Sequence, residues 1–173
     1  MLLSCFTVRQ IIYKEYDWDN MLLAYYHCNG VKNKSIYDDG LLNPVLNDPE
    51  NYMSFEINIE NHKENVIIKA KNYDKGYNDA INKTIGLLND VYNNTSHRDN
   101  QKVSSAHLKN RLSKEIRDFY LLVDNYKSDF DSGDHDIIVD EISRKNEFAA
   151  FKRCIIRSDS ELYNEFAGAL MAQ

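Results

Sequence analysis

Proline, glycine and cysteine are scarce in this chain. Two prolines and six glycines in 173 residues exclude a loop-dominated fold and a long low-complexity tail. The three cysteines, Cys5, Cys28 and Cys154, are odd in number and widely spaced. That pattern excludes a disulfide framework and a zinc-ligand motif. It reads as three small packing thiols in a reducing compartment, so a cytoplasmic location is expected. No apolar run approaches the ~20 residues that a membrane helix needs. The start, "MLLSCFTVRQ", has neither the basic segment nor the apolar length of a secretory signal. Positive charge is short as well: 21 Lys and Arg against 27 Asp and Glu leave a net charge of −6. This balance argues against general binding to nucleic acid or to an anionic membrane. It fits a basic protein partner, which opposite charge would draw in.

Catalytic signatures are missing too. Gly76, Gly86 and Gly133 stand alone, so no phosphate-cradling glycine loop is present, and there is no Gly-x-Ser-x-Gly elbow. His27, His62, His97, His107 and His135 include no pair at the i, i+4 spacing of a helical metal site. Cys28 follows His27 directly, but adjacent helical residues point apart and do not share a proton. No cofactor is expected.

What remains describes a globular protein. A chain of this length hides roughly 70% of the surface it exposes when unfolded, and 43% of its residues are hydrophobic. It reads as one domain over 1–173, and the polar stretch around 94–103 is the one place for a subdomain break. Thr7 and Gln10 form a capping box before Val8, Ile11, Ile12 and Tyr16. A second helical segment, "DWDNMLLAYYHCNG", is capped by Asp17 or Asp19 and stops at Asn29-Gly30. Residues 31–50 carry turn signals at Asp39-Gly40, Asn43-Pro44 and Asp48-Pro49.

"SFEINIENHKENVIIKAK" is the strand signal. Phe55, Ile57 and Ile59 alternate with Glu56, Asn58 and Glu60, and Val66, Ile68 and Ala70 alternate with Ile67, Lys69 and Lys71. This predicts a hairpin with one apolar face and glutamates able to meet lysines on the other. The rest is helical. Tyr77, Ile81, Ile85, Leu88 and Tyr92 form one stripe, and Leu108, Leu112, Ile116, Phe119, Tyr120 and Val123 another. Ile138, Ile142, Phe148 and Phe151 predict a third helix. "SDSE", Ser158 to Glu161, is a capping box before Leu162, Phe166 and Leu170. The fold class is therefore α+β: four or five helices with one antiparallel hairpin or small sheet.

Three functional readings follow. The first starts from "SDFDSGDHDIIVDE", where Asp129, Asp131, Asp134, Asp136, Asp140 and Glu141 occur without a Lys or Arg in residues 128–141. Read as an acidic loop, it would steer a basic partner. Tyr13, Trp18, Tyr25 and Tyr26 would supply the buried contact, since aromatic residues anchor interfaces. This is a non-enzymatic neutraliser or inhibitor of the toxin-immunity, antitoxin or viral anti-defence type. The second is a small metal-dependent nuclease or phosphoesterase using Glu56 or Glu60 with Lys69 or Lys71, although the hairpin lacks the Glu-x-Lys triplet such sites use. The third is a calcium-responsive module using Asp129, Asp131, Asp134 and Asp140. Its register is wrong for calcium: Asp134 stands where the turn glycine belongs, and Asp140, not a glutamate, takes the twelfth position. Arg111, Lys114 and Arg117 share a helix face with the spacing of a phosphate-binding patch, and equally of a solvated face.

Overall fold

A computed structural model describes residues 28, 30–31, 40–44, 46–58, 65–71, 78–93, 99–129 and 132–171. The capping box at Thr7 and most of the helix from Asp17 lie outside them. Cys28, Gly30 and Val31 are helical, so Gly30 is not the left-handed stop. Cys28 is disulfide-bonded. This corrects the reading of all three cysteines as packing thiols and removes Cys28 from any nucleophilic role; Cys154 forms no disulfide.

The architecture is α+β. A 3₁₀ turn at Pro49–Asn51 leads into strand β1 (Met53–Asn58), which pairs antiparallel with β2 (Asn65–Ala70). Helices follow: α1 (Asn78–Asn93), α2 (Asp99–Asp129), α3 (Ser132–Glu141), α4 (Ala149–Ser158), α5 (Ser160–Glu165) and α6 (Ala167–Met171). The chain divides into two compact units within α2, one ending at Lys109 and one beginning at Asn110.

In the first unit the turn signals act as their chemistry requires. Gly40 adopts a φ of 78°, open to glycine and strained for other residues. The Asn43 carbonyl accepts from the Leu46 and Asn47 amides at 3.2 and 2.8 Å. Asp48 caps the 3₁₀ turn by accepting from the Glu50 amide at 3.0 Å, with Pro49 at its first position. The hairpin register sets Phe55 opposite Ile68 and Ile57 opposite Val66. Met53, Phe55, Val66 and Ile68 are buried on its apolar face. Helix α1 packs on β2. Its buried surface is wider than the predicted stripe: Ile81, Leu88 and Tyr92 are joined by Thr84, Leu87 and Val91, while Ile85 is only half-buried.

Helix α1 also satisfies backbone groups of its neighbours. The Asn93 carboxamide donates to the Val66 carbonyl at 2.6 Å and accepts from the Val66 amide at 3.0 Å. Asn89 donates to the Ile68 carbonyl at 3.3 Å. Thr84 accepts from the Leu42 amide at 2.9 Å; in the other direction, Ser105 of α2 donates to the Val91 carbonyl of α1 at 2.7 Å.

The second unit is helical, with a core of Phe119, Val123, Tyr126, Ile138, Ile142, Ile156, Leu162 and Phe166. The predicted α2 stripe holds at Leu112, Ile116, Phe119 and Val123, but Tyr120 is exposed and Tyr126 takes the inward position. Spacings of 4, 3, 4 and 3 carry the apolar face from Leu112 to Tyr126; Tyr120 follows Phe119 by one and falls about 100° off it. The single helix expected over Ile138 to Phe151 is broken after Glu141, and α4 begins beyond Phe148. Phe148 holds a left-handed φ of 55°, strain of about 1–2 kcal/mol, while its ring is buried. The capping box at Ser158 is also corrected. Asp159 is the cap of α5, accepting from the Glu161 and Leu162 amides at 3.0 and 3.1 Å.

Candidate functional site

The described residues of the acidic segment are helical. Asp129 ends α2, and Ser132 to Glu141 form α3, so the loop that either a calcium ion or an extended epitope would use is replaced by helix. The periodicity of Ile138 and Ile142, both fully buried, drives this: folding the segment as a helix puts both on one side, four residues apart. Asp134 lies in the first turn, where a carboxylate favours the positive end of the helix dipole. Among the described residues no group of three or more His, Cys, Asp or Glu side chains could hold a metal ion; Asp131 lies outside them.

Opposite the core, Gly133, Asp136, Ile137 and Asp140 fall at the spacing of one helix face. All four are exposed, Ile137 by 50% and the Asp136 side chain by 90%. Asp129 is exposed at the end of the preceding helix. None of Asp129, Asp134, Asp136 and Asp140 is paired with a lysine or arginine among the described residues. Asp140 accepts from the Asn146 carboxamide at 3.2 Å, and Asp136 faces His135 at 3.5 Å.

Glu141 differs from them. Its carboxylate is bonded to Lys152, whose side chain is 2% exposed. Lys152 also meets Glu115 at 3.2 Å, and its ammonium lies 5.9 Å from the centre of the Phe119 ring. Beside it the Arg153 guanidinium, also buried, donates to the Ile142 carbonyl at 2.5 Å. Two cations of α4 thus anchor the C-terminal end of α3, and Lys152 ties it to α2. The sequence reading missed both. A signal existed for Lys152: it sits four residues after Phe148 and four before Ile156, on the buried row.

On the other side of α3, His135 stacks on Phe166 with ring centres 4.9 Å apart at 21°. Its Nε2 is 3.8 Å from Glu165, and the Tyr126 hydroxyl donates to the same carboxylate oxygen at 3.3 Å. Burial raises the Tyr126 phenol above its ordinary range, and the Glu165 charge and hydrogen bond add to it. At the start of α5, Asp159 is bonded to Lys127. That bond, with the helix amides, lowers the Asp159 carboxyl, and the same bond raises Lys127.

The other sequence candidates are placed as follows. Glu56 and Lys69 meet each other at 3.3 Å on the solvent face of the hairpin. Lys71 donates to the Glu50 carbonyl at 2.6 Å. Neither arrangement directs a carboxylate and a lysine at a common point where a phosphate would sit. Glu60, Tyr13, Trp18, Tyr25 and Tyr26 lie outside the described residues. On α2, Arg111 is bonded to Glu147 and Lys114 meets Asp118 at 3.6 Å, so that face is of mixed charge and not a basic stripe. No helix among the described residues is long and apolar enough to cross a membrane. Comparison with protein-family models, with curated proteins and with solved structures finds no match.

Proposed function

We propose that the protein acts without catalysis, by binding and neutralising a basic protein partner through the outer face of α3. One observation carries the reading: Asp129, Asp136 and Asp140 are exposed and paired with no lysine or arginine among the described residues, and Asp136 and Asp140 share one face of α3 with the exposed Ile137. Exposed carboxylates without cations give a net field that steers a positively charged surface into contact. An exposed apolar side chain among them supplies area that becomes buried on docking. Tyr120 and Tyr163, exposed in the same unit, are the further anchors in this reading. Glu141 belongs to the scaffold that holds the face, through Lys152. An immunity protein, an antitoxin and a viral inhibitor of a defence protein all fit this description.

The test is affinity capture from the native host with the wild-type chain and with the triple variant D129N/D136N/D140N. A basic protein retained by the first, lost with the second and released as salt is raised is the expected result. Equal capture by both chains would remove α3 as the contact.

A further inference from the structure

We propose that α3 is a conditional helix: it keeps its form only while docked, with Lys152 and Arg153 of α4 closing its C-terminal end, and it opens as a segment while the rest of its compact unit stays folded. Its own sequence favours a helix weakly. Of the ten residues in SGDHDIIVDE only Glu141 is a strong helix former; the others include a glycine, three aspartates and three β-branched residues. Ten residues are also fewer than the ~12–15 that an isolated helix needs in water. Asp140 and Glu141 stand at the negative end of the helix dipole, and the last turn holds no cation of its own. The missing positive charge comes from α4. Lys152 is bonded to Glu141, and the Arg153 guanidinium donates to the Ile142 carbonyl at 2.5 Å. Asn146 adds a bond to the Asp140 carbonyl at 2.5 Å.

Opening leaves little uncompensated behind it. Lys152 also meets Glu115 of α2 at 3.2 Å, so its ammonium keeps an anion when Glu141 departs. Phe119, Val123 and Tyr126 of α2 stay packed with Ile156, Leu162 and Phe166, and Lys127 still bonds Asp159. The fully buried side chains withdrawn are Ile138 and Ile142, with the partly buried Val139 beside them. A segment with so few apolar contacts sits at the low end of the local stabilities in a fold. This opening does not depend on what α3 binds. Where α3 serves as the acidic face proposed above, that face exists in the closed form alone, and the apparent affinity scales with the closed fraction.

The experiment is native-state hydrogen exchange of the full chain, read amide by amide in rising urea below the unfolding transition. Amides of α3 should exchange at least about 100-fold faster than those of Phe119, Val123 and Tyr126 on α2. Their rates should also change little with urea, because little surface is exposed when one short helix leaves. R153M, which keeps the stem and removes the guanidinium, should speed α3 exchange about a further tenfold. G133A, which puts a better helix former at an exposed position, should slow it about fourfold. If α3 and α2 amides exchange at one rate with one urea dependence, α3 parts only when the whole unit unfolds, and the proposal is overturned. An α3 rate unchanged in R153M overturns the role given to Arg153. Should R153M fail to fold, the wild-type urea profile and G133A still decide: an α3 rate that G133A leaves unchanged counts against the conditional helix.

Discussion

In the unit that ends at Lys109, most side chains that satisfy backbone groups across elements are neutral: Asn93 on Val66, Asn89 on Ile68, Thr84 on Leu42 and Ser105 on Val91. In the unit that begins at Asn110 the side-chain contacts between elements are mostly charged. Lys152 joins Glu115 and Glu141, Arg153 holds the Ile142 carbonyl, Arg111 meets Glu147, and Lys127 meets Asp159. A neutral amide desolvates at modest cost and fits a backbone donor and acceptor at once. A buried ammonium carries a large desolvation penalty and is tolerated only with its counter-ions in place. The first unit should therefore respond little to salt and pH, and the second strongly.

The largest effect should come from leaving Lys152 without its anions. E115Q/E141Q is expected to lose about 3 kcal/mol in urea unfolding, at the low end for a broken buried pair because the carboxylates are partly solvated. K152M, which keeps the chain over Phe119 without the charge, should lose less than about 1 kcal/mol. If K152M is the worse variant, the contrast with the first unit fails, because the ammonium would then be stabilising in its own right. N93A comes next. It strips the Val66 amide and carbonyl of their partner and should cost about 1–2 kcal/mol, with no change in that cost when salt is added. A salt-dependent loss would show that charge matters in the first unit as well.

The smallest effect concerns Asp159. Its carboxyl is held below the usual range by Lys127 and the α5 amides. A depressed carboxyl contributes stability that is complete above its unfolded value and lost as pH falls through the folded one. Wild type should therefore exceed D159N near neutral pH, and the gap should close on acidification below about pH 3.9, the ordinary aspartate value. A gap that widens in acid would contradict the assignment.

The apolar framework was legible in the sequence. Period-two alternation located β1 and β2, and the rows through Ile81 and Leu88 and through Leu112 and Val123 located α1 and α2. What escaped was polar. Asp134, Asp136 and Asp140 read as part of an acidic loop because carboxylates crowd there without a Lys or Arg, yet Ile138 and Ile142, four residues apart, both reach the core. Neither Lys152 nor Arg153 stands out in the sequence as a buried cation, since a cation is buried only if anions and carbonyls distant in sequence come to meet it. Glu115 lies thirty-seven positions from Lys152, and no local pattern announces that pairing. Tyr126 was passed over because the predicted row stopped at Val123, three residues short.

Asn93 gives the hairpin one more property. The outer margin of a two-stranded sheet is a ready template for any extended peptide, and many proteins polymerise through such margins. Here the carboxamide fills both the donor and the acceptor of Val66, and Asn89 fills the Ile68 carbonyl. An incoming chain would have to displace α1 before it could add to β2. The residues that finish the fold on this side also guard it against aggregation.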